Sequence, residues 1–326
     1  MAYYDIMYTC GVIATREKRL LKDKIFRFCE LSGEEAFRLL VDSGYGGGAS
    51  VASNVYEYEN LISAEENALD DFIREYAPSR AEKSYLLSPR DFHNAKALVK
   101  AKYLGRSAEG MLAPEGLIPV SVLSSAVEAG DFTQIKPENE ALAQAMDEAT
   151  AYLSEGSSGA KLGDIFEKAL YKHLKKVSAH KPVLKKLLTA KADMTNILTA
   201  LRTGDGELAK DKYLPAGKLS ENKLSCLFLE DKAKAVKSFK DTPYFAFVEK
   251  CFDALEKGEP MTQAEKALES FDVDYFAERK YDLSKTEPFL YYVYRRRNEN
   301  ANVRIVFVCL LAGLKEADVK KRLRTL

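Results

Sequence analysis

The chain has 326 residues, 46% apolar and 30% charged, with 49 Lys+Arg against 49 Asp+Glu. That length suffices for two or three domains, or for one assembly of three ~100-residue units, with a large core. The balanced charge excludes a global field that would draw nucleic acid or an acidic membrane surface.

In chain order, Met1-Ala2-Tyr3-Tyr4-Asp5 carries neither a basic segment nor an apolar core, so no signal peptide is expected. Residues 12–31, rich in Arg, Lys, Glu and Leu, predict a helix. Ser32-Gly33-Glu34-Glu35 is a capping box that opens the next helix. The run Gly44-Tyr45-Gly46-Gly47-Gly48 ends it and reads as a flexible connector; a phosphate loop would need a following Gly-Lys-Ser/Thr. Ser63-Ala64-Glu65-Glu66 is a second capping box, for a helix stopped at Pro78. Ser88-Pro89 predicts a helix start directly before Asp91, with the helix ending near Gly105. Helices follow over 119–129 and 137–153, the latter with Ala141, Leu142, Ala145 and Ala149 on one face. Residues 154–159 read as a linker. Further helices are predicted over 161–177, 182–202 and 239–256, from the capping box Thr262-Gln263-Ala264-Glu265, from Glu287-Pro288 to Leu311, and over 316–323. Sustained period-two alternation is almost absent, which predicts an all-α fold.

The longest apolar run, Ile305 to Leu314, falls far short of the ~20 residues a membrane span needs. The five cysteines, Cys10, Cys29, Cys226, Cys251 and Cys309, form no close-spaced pair, which suits a reducing, cytoplasmic setting; Cys309 reads as a buried thiol.

One pattern organises the chain. Asp91-Phe92-His93-Asn94 is echoed by Asp193-Met194-Thr195-Asn196 and by Glu299-Asn300-Ala301-Asn302, at steps of roughly 100 residues. Lys100 and Arg202 stand six residues after the first two asparagines, and Val308 breaks that rule in the third copy. Gly105, Gly204 and Gly313 close the three runs. Pro114-Glu115-Gly116-Leu117 is matched by Pro215-Ala216-Gly217-Lys218-Leu219, and Phe166-Glu167-Lys168-Ala169-Leu170 by Glu265-Lys266-Ala267-Leu268. Three similar helical units are expected, over 1–118, 119–219 and 220–326.

The acid and amide of each copy share a helix face, being three residues apart. Three carboxylates in equivalent places raise the possibility of a metal site. The structural reading is preferred: a carboxylate in a first helical turn favours the macrodipole, and each Asn bonds a neighbouring backbone or the basic side chain at Lys100 or Arg202. His93, His173 and His180 form no ligand pattern and read as surface or capping residues. Arg295-Arg296-Arg297 after a run of tyrosines allows phosphate contacts and stacking on nucleic acid, but reads better as a solvated rim or a protein-docking face. No nucleophile elbow or Cys/His pairing is found. No catalytic, cofactor-binding or metal residue is assigned, and the residues alone point to a helical, three-repeat, non-enzymatic interaction protein.

At these residues the chain resembles a family, the central-stalk subunits of V/A-type rotary ATPases, known as the C subunit in archaea and bacteria and the d subunit in eukaryotes. The resemblance spans nearly the whole chain. It rests on Leu39-Leu40-Val41-Asp42-Ser43-Gly44-Tyr45, on Asp91 and Asn94 with Lys100 and Gly105, on Asp193 and Asn196 with Arg202, and on Glu287-Pro288 through Glu299, Asn302 and Arg304 to Gly313-Leu314. It implies a funnel of three helical units with approximate three-fold symmetry. It also implies a non-catalytic rotor subunit, without a cofactor, on the cytoplasmic face of the membrane. Such a subunit joins the central shaft of the ATPase head to the membrane rotor ring, for proton or sodium transport. It touches the membrane only through the ring and binds neither nucleotide nor nucleic acid. Two other readings stand beside it: an all-helical scaffold unrelated to rotary ATPases, and an all-α enzyme using the repeated carboxylates on a metal.

Overall fold

A computed structural model describes residues 5–156, 159–229 and 231–326. Among them the regular structure is helical, with no strand. Two of the linker's residues, Ser157 and Ser158, and the N-terminal Met1–Tyr4 lie outside the described residues.

The dominant elements are three long helices, Arg80–Tyr103, Pro182–Thr203 and Glu287–Leu311, each carrying one copy of the acid–amide motif. All three end as the glycines require. Gly105, Gly204 and Gly313 take positive φ (60°, 65° and 73°), the left-handed conformation that terminates a helix without a Cβ penalty. In the first and third, the N–H of the next residue closes back over the last turn, Arg106 to Ala101 O and Leu314 to Cys309 O, both at 3.0 Å.

The chain divides into two compact units: residues 1–79 with 262–326, and residues 80–261. The first is built from both chain ends. Helix Glu287–Leu311 packs against Ile6–Arg16, Lys24–Phe28, Gly33–Asp42, Tyr58–Tyr76, Thr262–Ala277 and Glu316–Arg322. Its core joins Leu21, Ile25, Phe28, Phe37 and Leu40 from one end of the sequence to Val303, Val306 and Phe307 from the other. Cys309 is buried with them, as expected. In the second unit, Arg80–Tyr103 packs on Val120–Ala129, Glu140–Ser154 and Leu162–Val177, around Phe92, Leu123, Met146 and Phe166. Pro182–Thr203 packs on the helices that follow it, including Phe245–Glu256.

Four sequence expectations change. Residues 12–31 are not one helix, because Leu20 turns extended and helix resumes only at Lys24–Phe28; a tertiary contact of Leu21 overrides good local propensity. Ser63 does not cap a helix. Helix Tyr58–Tyr76 starts before it, and Glu66 of the apparent box faces Arg304 at 3.3 Å. Ser88-Pro89 does not start one either: Arg80–Tyr103 runs straight through Pro89. The glycine run is a packed turn, not a flexible connector. Gly46 is buried, and a Cβ there would lie 2.2 Å from Leu61 O. The capping box at Ser32 is present in full, with both reciprocal bonds to Glu35.

Candidate functional site

Because each motif lies in a helix interior, the macrodipole cannot explain its carboxylate; that field acts only in the terminal turns. The side chains do something else. Asn94, fully buried, bonds one loop residue twice: its Nδ2 donates to Ala113 O (3.1 Å) and its Oδ1 accepts from Ala113 N (2.8 Å). Asn196 treats Leu214 identically (3.3 and 2.7 Å), and Asn302 treats Arg324 identically (3.0 and 2.8 Å). A primary amide presents a donor and an acceptor side by side, as a neighbouring strand would, so each Asn supplies an extended loop with its missing pairing partner. The asparagines therefore bond loop backbone and not Lys100 or Arg202, which are exposed.

The acids complete the grip. Asp91 Oδ1 accepts from Leu117 N (2.9 Å) and Ile118 N (3.1 Å). Asp193 Oδ1 accepts from Lys218 N (2.7 Å) and Leu219 N (2.9 Å), while its Oδ2 accepts from the Tyr244 hydroxyl at 2.8 Å. Burial first, then Asp193, pushes the Tyr244 phenol above its ordinary range, so it remains a donor. The loop glycines are the ones matched in sequence, and the reason is steric. A Cβ on Gly116 would lie 2.1 Å from Asp91 Oδ1, and one on Gly217 would lie 2.6 Å from Asp193 Oδ1.

The third copy differs. Glu299 Oε2 accepts from Leu21 N at 2.6 Å, so the segment it holds comes from the other end of the sequence. Glu299 Oε1 pairs with Arg296, which also pairs with Glu65 and lies over the Tyr45 ring, 5.5 Å from its centroid. Glu65 in turn accepts from Gly46 N (2.9 Å), and the Tyr45 hydroxyl donates to Asn300 Oδ1 (2.8 Å). Burial pushes the Glu299 carboxyl up, with Arg296 opposing, and burial pushes the Tyr45 phenol up strongly. Arg296 is 6% exposed, so the centre of the arginine run is core and not rim. The spacing Arg296-x-x-Glu299 already carried that signal, since residues three apart on a helix meet.

The histidines hold structural places. His93 Nε2 lies 3.0 Å from Met111 O, His180 is exposed, and His173 sits inside, against the Phe92 ring and 3.3 Å from Ser84 Oγ. Among the described residues, no cluster of three His, Cys, Asp or Glu is placed to hold a metal ion. A groove of about 930 Å³ runs past Arg80, Lys136, Lys172 and Lys176, with no motif residue in its lining.

An asparagine on each of three helices holds backbone in one way, and these marks span the chain. Residues 9–322 match the ATP synthase (C/AC39) subunit family. The chain belongs to that family. Similar to it are the C subunits of the V-type ATP synthases from two strains of Thermus thermophilus, each 27% identical over 221 residues, covering 65% of this chain and 68% of the relative. As a C/AC39 family member, the chain is all-helical, and no described helix is long and apolar enough to cross a membrane.

Proposed function

We propose that the chain is a non-catalytic rotor subunit, seated in the central stalk of a V/A-type ATPase. There it couples the shaft of the soluble head to the membrane rotor ring, on the cytoplasmic face and touching the membrane only through the ring. Family membership supports this reading, as does the name carried by the Thermus relatives. The observation that carries it is the use of the repeated side chains. Asp91, Asp193 and Glu299, the groups that would serve chemistry, are all engaged in holding backbone. Such an investment favours shape and stiffness, which a torque coupler requires, since close-packed interiors transmit strain.

We further propose three units, over 1–118, 119–219 and 220–326, arranged as a funnel with approximate three-fold symmetry. The order of the clamps supports it. The first acid holds residues 117 and 118, the second holds 218 and 219, and the third reaches round to Leu21. Each unit is then held at its start by the motif helix of the unit before, in cyclic succession.

The test is reconstitution of a rotary complex with and without the chain. The expected result is that ATP hydrolysis persists without it while ATP-driven ion transport is lost, and that adding the chain restores transport. Full ion transport without the chain, or failure of the chain to bind both shaft and ring preparations, overturns the reading.

A further inference from the structure

The third clamp is built unlike the other two. In the first two, acid and amide grip one short loop: Ala113 and Leu117, or Leu214 and Lys218. Capturing one end of such a loop pre-orders the other. In the third, Asn302 holds Arg324 and Glu299 holds Leu21, segments at opposite ends of the sequence. Neither capture lowers the ordering entropy of the other.

What Leu21 anchors is a distinct piece of chain. Helix Ile6–Arg16 buries only Thr9, Cys10 and Ile13. It also makes aromatic contacts: Tyr8 stacks on Tyr76 at 6.4 Å, and the Arg16 guanidinium lies 4.8 Å from the Phe72 centroid. Phe72 itself packs on Tyr76, Phe289 and Tyr292, with centroids 5.2, 5.6 and 5.1 Å away. Directly after Leu21, Lys22 has φ +48°, the one positive value for a non-glycine among the described residues. A side chain there crowds the backbone, so the bend is strained and needs surrounding contacts to persist.

We propose that residues 5–21 form a releasable strap, latched at Leu21 by Glu299 and hinged at Lys22, that covers the aromatic face of Phe72, Tyr76 and Tyr292. Losing the latch relaxes the hinge and frees the strap as one piece, withdrawing Leu21 from the core, while the rest of the unit keeps the part of that core built on Ile25, Phe28, Phe37 and Leu40. Local openings of this kind occur where few buried contacts hold a segment.

Cys10 is an internal reporter, since it lies on the buried face of the strap's own helix, and Cys251 is a buried control in the other unit. The experiment is alkylation of the full chain with N-ethylmaleimide, with each cysteine followed by peptide mass spectrometry. Glu299→Gln keeps an acceptor but removes the charge that strengthens it, and is expected to speed Cys10 labelling about tenfold. Lys22→Gly removes the hinge strain and is expected to slow it about fivefold, a change opposite to that of a damaged fold. Cys251 labelling is expected to stay constant in both. Equal Cys10 rates in the three proteins, or Cys251 rates that move in parallel with Cys10, overturn the proposal.

Discussion

At single residues, the decisive contacts join side chains to main chain. Gly116 is the sharpest case, because a methyl group there collides with the carboxylate that holds the loop. Gly116→Ala should destabilise the protein by about 2–4 kcal/mol, through loss of buried charge-assisted bonds. Gly105→Ala, whose added Cβ meets nothing within 4 Å, should cost only the left-handed strain, about 1 kcal/mol. Urea denaturation of the two variants checks the difference; equal losses would contradict it. His173 supplies a pH dependence. Burial, helped by Lys176, lowers its pKa from 6.5 to about 4. Because the folded value lies below the unfolded one, its contribution is complete above pH 6.5 and is lost as pH falls towards 4. Melting curves should show the second unit weakening across that window, by about 2 kcal/mol, and His173→Gln should flatten the slope.

At the scale of elements, the motif helices act as spines that order extended loops. Asn94→Ala, Asn196→Ala and Asn302→Ala each remove two bonds to otherwise unpaired backbone, and each should cost about 2–4 kcal/mol. Hydrogen exchange should localise the first two losses to residues 113–118 and 214–219; protection unchanged in those loops would count against the clamp. Helix stops were legible in the sequence because they are local. Gly105, Gly204, Gly313 and Pro78 work through their own backbone chemistry, and the Ser32 box through neighbours three residues away. False starts at Ser63 and Ser88 had equally good local signals. They lost to packing of Tyr58–Tyr76 and Arg80–Tyr103, which no short window contains. The break at Leu20 was hidden for the same reason, since its cause is Glu299.

For the whole molecule, the repeat marked the three helices that carry the clamps but not everything that they hold. The matched glycines 116 and 217 marked where clamps grip, yet nothing near Leu21 resembles them, so the closing contact of the series had no sequence signature. Tyr244 was equally invisible as a partner of Asp193, because a lone aromatic far along the chain carries no spacing signal. The third clamp, which holds segments from both ends of the sequence, makes a test at this scale. Glu299 and Asn302 lie one turn apart on one helix, so the segments they hold run close together. A permuted chain, with the old ends joined by a flexible linker and new ends opened between Gly105 and Gly110, should keep its helical circular dichroism and cooperative melting. Loss of both would show that the order of segments along the chain matters beyond the contacts described.

The asparagines bond main-chain atoms of Ala113, Leu214 and Arg324, whose side chains run from a methyl group to a guanidinium. At those three positions the amide grip does not read the side chain. Like a common lens mount, it fixes a backbone and leaves the attachment open, so each of the three held segments can evolve a different outward face.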